Sequence, residues 1–123
     1  MKRLGVAMMV VSSIFLVGFM TDVEPIAVTV EEGVSEKAVK VNNRGVDLFK
    51  EGKLVEAFAN FVTAAEIDEL FWEAHYNCAV ALLAMGKPEE ALHHLELSLA
   101  IDPEKSETIQ FYNNLLEKIR LNA

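Results

Sequence analysis

The hexapeptides GKLVEA (residues 52–57) and GKPEEA (residues 86–91) begin 34 residues apart, and this interval constrains the fold of the 123-residue chain more than any other feature. Sliding residues 52–68 onto residues 86–102 gives six identities in seventeen, at Gly, Lys, Glu, Ala, Ile and Asp, where average composition would give roughly one. Self-similarity at a fixed period of this length marks a supersecondary unit stacked on its neighbour.

The unit reads as helical. Ser35 is placed to cap a first helix whose inner face carries Val39, Asn42, Val46 and Phe49, and Gly52 supplies the left-handed residue that ends it. A second helix is expected over 54–67, with Ala57, Phe58, Phe61, Ala64 and Ala65 on its apolar side. Asp68 is read as the cap of a third, over about 69–85, which Gly86 ends as Gly52 ends the first. Pro88 suits the first turn of a fourth helix, and Asp102-Pro103-Glu104 repeats that starting signal for a fifth reaching about residue 121. Turns this short force neighbouring helices to run antiparallel.

The pattern resembles the tetratricopeptide repeat, a 34-residue helical hairpin. A first unit over about 38–71 carries matching residues at Gly45, Leu48, Gly52, Leu54, Ala57, Phe61, Ala64 and Asp68. A second, over about 72–105, carries Leu82, Gly86, Ala91, Leu95, Asp102 and Pro103, with Ala79 and Ser98 as small residues at positions of close approach. Arg44 and Cys78 stand where the family usually has Leu. The resemblance implies an all-α domain over 36–123, with two hairpins and a capping helix over about 103–121 building a superhelix of about five helices.

An N-terminal hydrophobic helix is expected before this domain. Lys2 and Arg3 precede seventeen uncharged residues, 4–20, in the order of a signal peptide or membrane anchor. No well-placed pair of small residues offers a signal-peptidase site, which favours an uncleaved anchor. Lys2 and Arg3 should remain cytoplasmic, so the chain from residue 21 onward is expected on the extracytoplasmic, periplasmic side, anchored or secreted. Residues 21–35 read as a linker. Ile26, Val28 and Val30 alternate in it as a short strand would, with no partner strand in the helical remainder of the chain. Beyond residue 20 there are 9 Lys+Arg against 19 Asp+Glu, an acidic balance that repels phosphate backbones and argues against nucleic acid. Cys78, the single cysteine, reads as a small buried apolar side chain.

In this family the first helix of each hairpin lines a groove for an extended peptide or a partner helix. The resemblance, with the helical period, assigns to it Asn42, Asn43, Val46, Phe49 and Lys50 from the first such helix. It adds Tyr76, Asn77, Val80 and Leu83 from the second, and Gln110, Phe111 and Asn114 from the capping helix. Asparagine amides donate to and accept from main chain, and the apolar members offer contact to a few side chains. A carboxylate clamp of the kind some members carry is not expected, because only Asn77 matches it. The implied function is protein binding that scaffolds or localises a membrane-associated complex. The alternative is a permanently assembled structural subunit or homo-oligomer. Self-association is suggested by the capping helix: Ile109, Tyr112, Leu116 and Ile119 are expected to cover the second hairpin, leaving Phe111 and Leu115 on an adjoining face.

No nucleophile–base arrangement, phosphate loop or cofactor motif appears, and an enzyme is not expected. Adjacent His93 and His94 point about 100° apart on a helix. They read as solvent-facing residues, not metal ligands, and His75 as a packing residue.

Overall fold

The computed structural model describes residues 23–30 and 33–122. The expected hydrophobic helix over residues 4–20 lies outside them, and no helix among the described residues is long and apolar enough to cross a membrane. Among the described residues five helices succeed one another: α1 Glu36–Lys50, α2 Leu54–Ile67, α3 Trp72–Ala84, α4 Pro88–Ile101 and α5 Ser106–Asn122. No strand is formed among the described residues. Each helix packs on the next, α1 with α2 and α3 with α4 most extensively.

The repeated Gly-Lys is a helix stop made twice. Gly52 and Gly86 have φ of 81° and 78°, a region that L side chains avoid. At the end of α1 the Lys53 N–H donates to Leu48 O at 2.9 Å and the Gly52 N–H to Phe49 O at 2.9 Å. At the end of α3 the Lys87 N–H donates to Leu82 O at 2.9 Å and the Gly86 N–H to Leu83 O at 3.0 Å. This crossed pair is the Schellman closure, which satisfies carbonyls left over by the last turn.

The repeated Asp ends one helix and turns the chain, and does not cap the start of the next. Asp68 Oδ1 accepts from Leu70 N–H at 3.1 Å, and Asp102 Oδ1 from Glu104 N–H at 3.2 Å. Each aspartate thereby closes a local turn on the backbone two residues on, so α3 begins at Trp72 and α5 at Ser106, both later than expected from sequence. Asp68 has a second role: its Oδ2 accepts from Ser35 N–H at 2.9 Å, tying the entry of α1 to the end of α2. Ser35 caps α1 as expected, its hydroxyl accepting from Ala38 N–H.

Ala57, Phe61, Ala79, Ala91 and Leu95 are fully buried where the hairpins cross. At the first crossing a Cβ added to Gly45 would stand 2.6 Å from Phe61 Cε1. One repeat on, Ala79 takes the place of Gly45 and Leu95 that of Phe61, so a larger small residue accompanies a smaller large one. Arg44 is simply exposed. The capping helix departs from expectation: α5 buries Thr108, Phe111 and Leu115, whereas Ile109 and Leu116 are 37% and 42% exposed. Phe111 is drawn inward by Tyr76, with their rings edge to face and centroids 5.3 Å apart.

Candidate functional site

Three asparagines on α1 and α3 make a continuous amide relay across the groove between these helices. Asn42 and Asn77 are 0% exposed. Asn77 Nδ2 donates to Asn42 Oδ1 at 2.8 Å, and Asn42 Nδ2 to Asn43 Oδ1 at 3.2 Å. Buried amides of this kind are costly unless their remaining donors and acceptors find partners.

Those partners are main-chain groups of residues 23–30, which lie extended along the groove. Ile26 N–H donates to Asn77 Oδ1 at 2.6 Å, and Ile26 O accepts from Asn77 Nδ2 at 2.8 Å and Asn42 Nδ2 at 3.0 Å. Val28 N–H donates to Asn43 Oδ1 at 2.8 Å, and Val28 O accepts from Asn43 Nδ2 at 2.7 Å. The alternation at Ile26 and Val28 is thus that of a strand whose hydrogen-bonding partner is a row of side-chain amides. Asn43 and Asn77 stand 34 residues apart, so successive repeats hold every second residue of the segment. Two residues of extended chain advance about 6.6 Å.

Val23 and Ile26 pack on the main core cluster, to which Val46, Phe49, Tyr76, Val80, Leu83 and Phe111 belong. Val28 packs on the smaller cluster of Ala38, Val39 and Phe71. Ala27, Thr29 and Val30 are exposed. Toward α5 the groove opens into a cavity of about 230 Å³ lined by Val23, Glu24, Tyr76, Glu107, Gln110, Phe111 and Asn114.

The groove residues named from sequence are therefore distributed over three tasks. Asn42, Asn43 and Asn77 hold main chain, the apolar members belong to the core cluster on which Val23 and Ile26 pack, and Gln110 and Asn114 line the cavity beside α5. Lys50 is exposed in the last turn of α1 and is not among the residues that hold the segment. Sequence reasoning assigns residues 23–30 to a linker and does not include Glu24 and Glu107 in the groove. The usable signal is the pairing of Asn43 with Asn77 at one repeat length, beside an upstream alternation with no strand to join.

A second cavity, of about 300 Å³, is lined by Val62, Ala65, Glu66, Glu69, His75, Cys78 and His94. His94 is half-buried there, with its Nδ1 3.4 Å from His75 Nδ1 and its ring against Phe58, which corrects the expectation that it faces solvent. Burial, and then His75 and His93, push the His94 pKa down to about 4. Burial and then His93 lower that of His75. Both rings are thus neutral near pH 7, and one donates to the other. Burial pushes the Cys78 thiol up to about 12, which leaves it unreactive. Among the described residues no group of three His, Cys, Asp or Glu side chains is placed to hold a metal ion.

Comparison with known proteins identifies the same repeat. The family model of the tetratricopeptide repeat matches residues 48–117, more than half of the chain. A DnaJ homolog subfamily C member 7 homolog of Schizosaccharomyces pombe is 36% identical over 70 residues, which are 54% of this chain and 15% of that protein. The chain therefore corresponds to a small part of the length of this relative.

Proposed function

The chain belongs to the tetratricopeptide-repeat family, whose units generally mediate protein–protein interaction and are generally non-enzymatic, and on that premise we propose that its groove binds an extended segment of a partner protein. The observation that carries this reading is the double hold on Ile26 and Val28, each gripped through both N–H and C=O by an asparagine at the same place in successive repeats. Amides that hold main chain accept many sequences, and the apolar floor selects among them.

We place this module on the extracytoplasmic side of a membrane, where it scaffolds or localises a complex. Lys2 and Arg3 followed by seventeen uncharged residues support that placement. Protease added to sealed spheroplasts should digest the domain, and survival of the domain until the membrane is opened would refute the orientation.

The groove is tested by capture from membrane extract on immobilised full chain. Asn43→Ala/Asn77→Ala should lose the partners that the wild type retains. Identical capture by the two would count against the groove. A second reading, self-association through α5, is favoured by the exposure of Ile109 and Leu116. Light scattering that finds a monomer at high concentration would remove it.

A further inference from the structure

The repeat sets a register between groove and segment that can be continued one step. Asn43 meets Val28 and Asn77 meets Ile26. One repeat beyond Asn77 is Phe111, and two residues before Ile26 is Glu24. These two line the same cavity, as the register requires.

At this third step the segment fits poorly. Phe111 has no amide with which to hold main chain, and Glu24 shares the cavity with Glu107. Both carboxylates are exposed, so they repel only weakly, but in a chain of net charge −8 they gain nothing from docking side by side. Elsewhere the segment buries little: Val23, Ile26 and Val28 are only half-buried. Ordering eight residues for so little apolar burial leaves the segment easily displaced.

We propose that residues 23–30 are a built-in placeholder, displaced by a partner segment with β-branched residues at the Ile26 and Val28 positions and Lys or Arg at the Glu24 position. The proposal rests on the peptide-binding reading of the groove. Any extended partner recovers the main-chain hydrogen bonds, so selection falls to the side chains. A cation facing Glu107 turns the one repulsive step into an attractive one. Because the placeholder is tethered, it competes at an effective concentration on the order of millimolar, and a partner lacking the better third step does not enter.

The test uses two fluorescent peptides, TDVEPIAVTV (residues 21–30) and the same peptide with Glu24→Lys, titrated into full chain in detergent. Four chains are compared: wild type, Ile26→Asp/Val28→Asp, Val28→Pro, which removes one N–H without adding charge, and Glu107→Gln. Helical circular dichroism checks that each is folded. Both vacated chains should bind the peptides at least tenfold more tightly than wild type. The Lys peptide should exceed the Glu peptide about three- to fivefold at low salt, and Glu107→Gln should erase that preference. Equal affinity for wild-type and vacated chains overturns the placeholder while leaving the groove reading intact. Equal affinity for the two peptides overturns the basic position. If neither peptide binds a folded, vacated chain, the groove reading itself fails. A wild-type dimer that Ile26→Asp/Val28→Asp dissolves would assign the segment to the groove of a second copy and overturn the proposal.

Discussion

Replacing Gly45 by Ala tests whether close approach at the hairpin crossings is what the repeat encodes. The new Cβ would stand 2.6 Å and 2.8 Å from two ring atoms of Phe61, which is itself fully buried. Carbon atoms pack at about 3.5–4.0 Å, so the fully buried ring or the helix must move by about 1 Å. Overpacking of this kind costs about 1–3 kcal/mol, and the helix propensity of Ala over Gly returns about 1 kcal/mol. The net loss expected is about 0–2 kcal/mol, read as a lower urea midpoint with unchanged slope. Phe61→Leu alone should cost about 1 kcal/mol through lost contact and a small cavity. The double variant copies the Ala79/Leu95 pair of the second repeat, and should be no less stable than Phe61→Leu alone. The coupling energy is then the relieved overpacking, about 1–3 kcal/mol. Additivity within about 0.5 kcal/mol would refute the steric account.

Asn77→Leu removes three hydrogen bonds from the groove and leaves the Ile26 N–H unpaired, a loss of about 1–3 kcal/mol in docking. Elastase cleavage within residues 23–30 should accelerate about tenfold, and an unchanged rate would contradict the relay. Gly52→Ala meets no atom within 4 Å, so its expected cost of about 1–2 kcal/mol comes from φ alone. Thermal unfolding should show a lower midpoint for Gly52→Ala, and an unchanged midpoint would contradict the left-handed stop. In the histidine cavity the unfolded chain takes up protons near pH 6.5 and folded His94 only near pH 4. The unfolded state therefore binds more protons between those values, and stability falls as pH drops through that window. Above pH 6.5 the pair is neutral in both states and contributes no slope. His94→Gln should flatten the decline in melting temperature between pH 7 and pH 5, and an unchanged decline would place its origin elsewhere.

Elements whose signals are local are legible in the sequence. Gly52, Gly86 and Pro88 mark helix ends by their own backbone preferences, and α2 and α4 begin where those preferences put them. The start of α3 is not legible, because Asp68 has acceptors to spare and directs them to Leu70 and to Ser35, 33 residues away. The buried face of α5 is ambiguous, since apolar residues lie on two adjoining stripes. Contact between Phe111 and Tyr76, on another helix, decides between them. The helical period separates His93 from His94 correctly, but His94 meets His75, nineteen residues earlier on the neighbouring helix. At the groove, the facing of the asparagines on α1 and α3 is legible from helical period and family resemblance. The occupant is not, because an extended segment is ordinarily sought beside another strand, and here its partners are side chains on helices.

Hydrogen exchange at residues 26–29 of the full chain, resolved by amide NMR, tests the central claim most directly. Ile26 and Val28 donate to Asn77 and Asn43, so their amides should exchange at least tenfold more slowly than those of Ala27 and Thr29, which are exposed. In Asn43→Ala/Asn77→Ala that alternation should vanish while the helices keep their protection. Four equal, unprotected rates in the wild type, or an alternation that survives loss of both asparagines, would contradict the account.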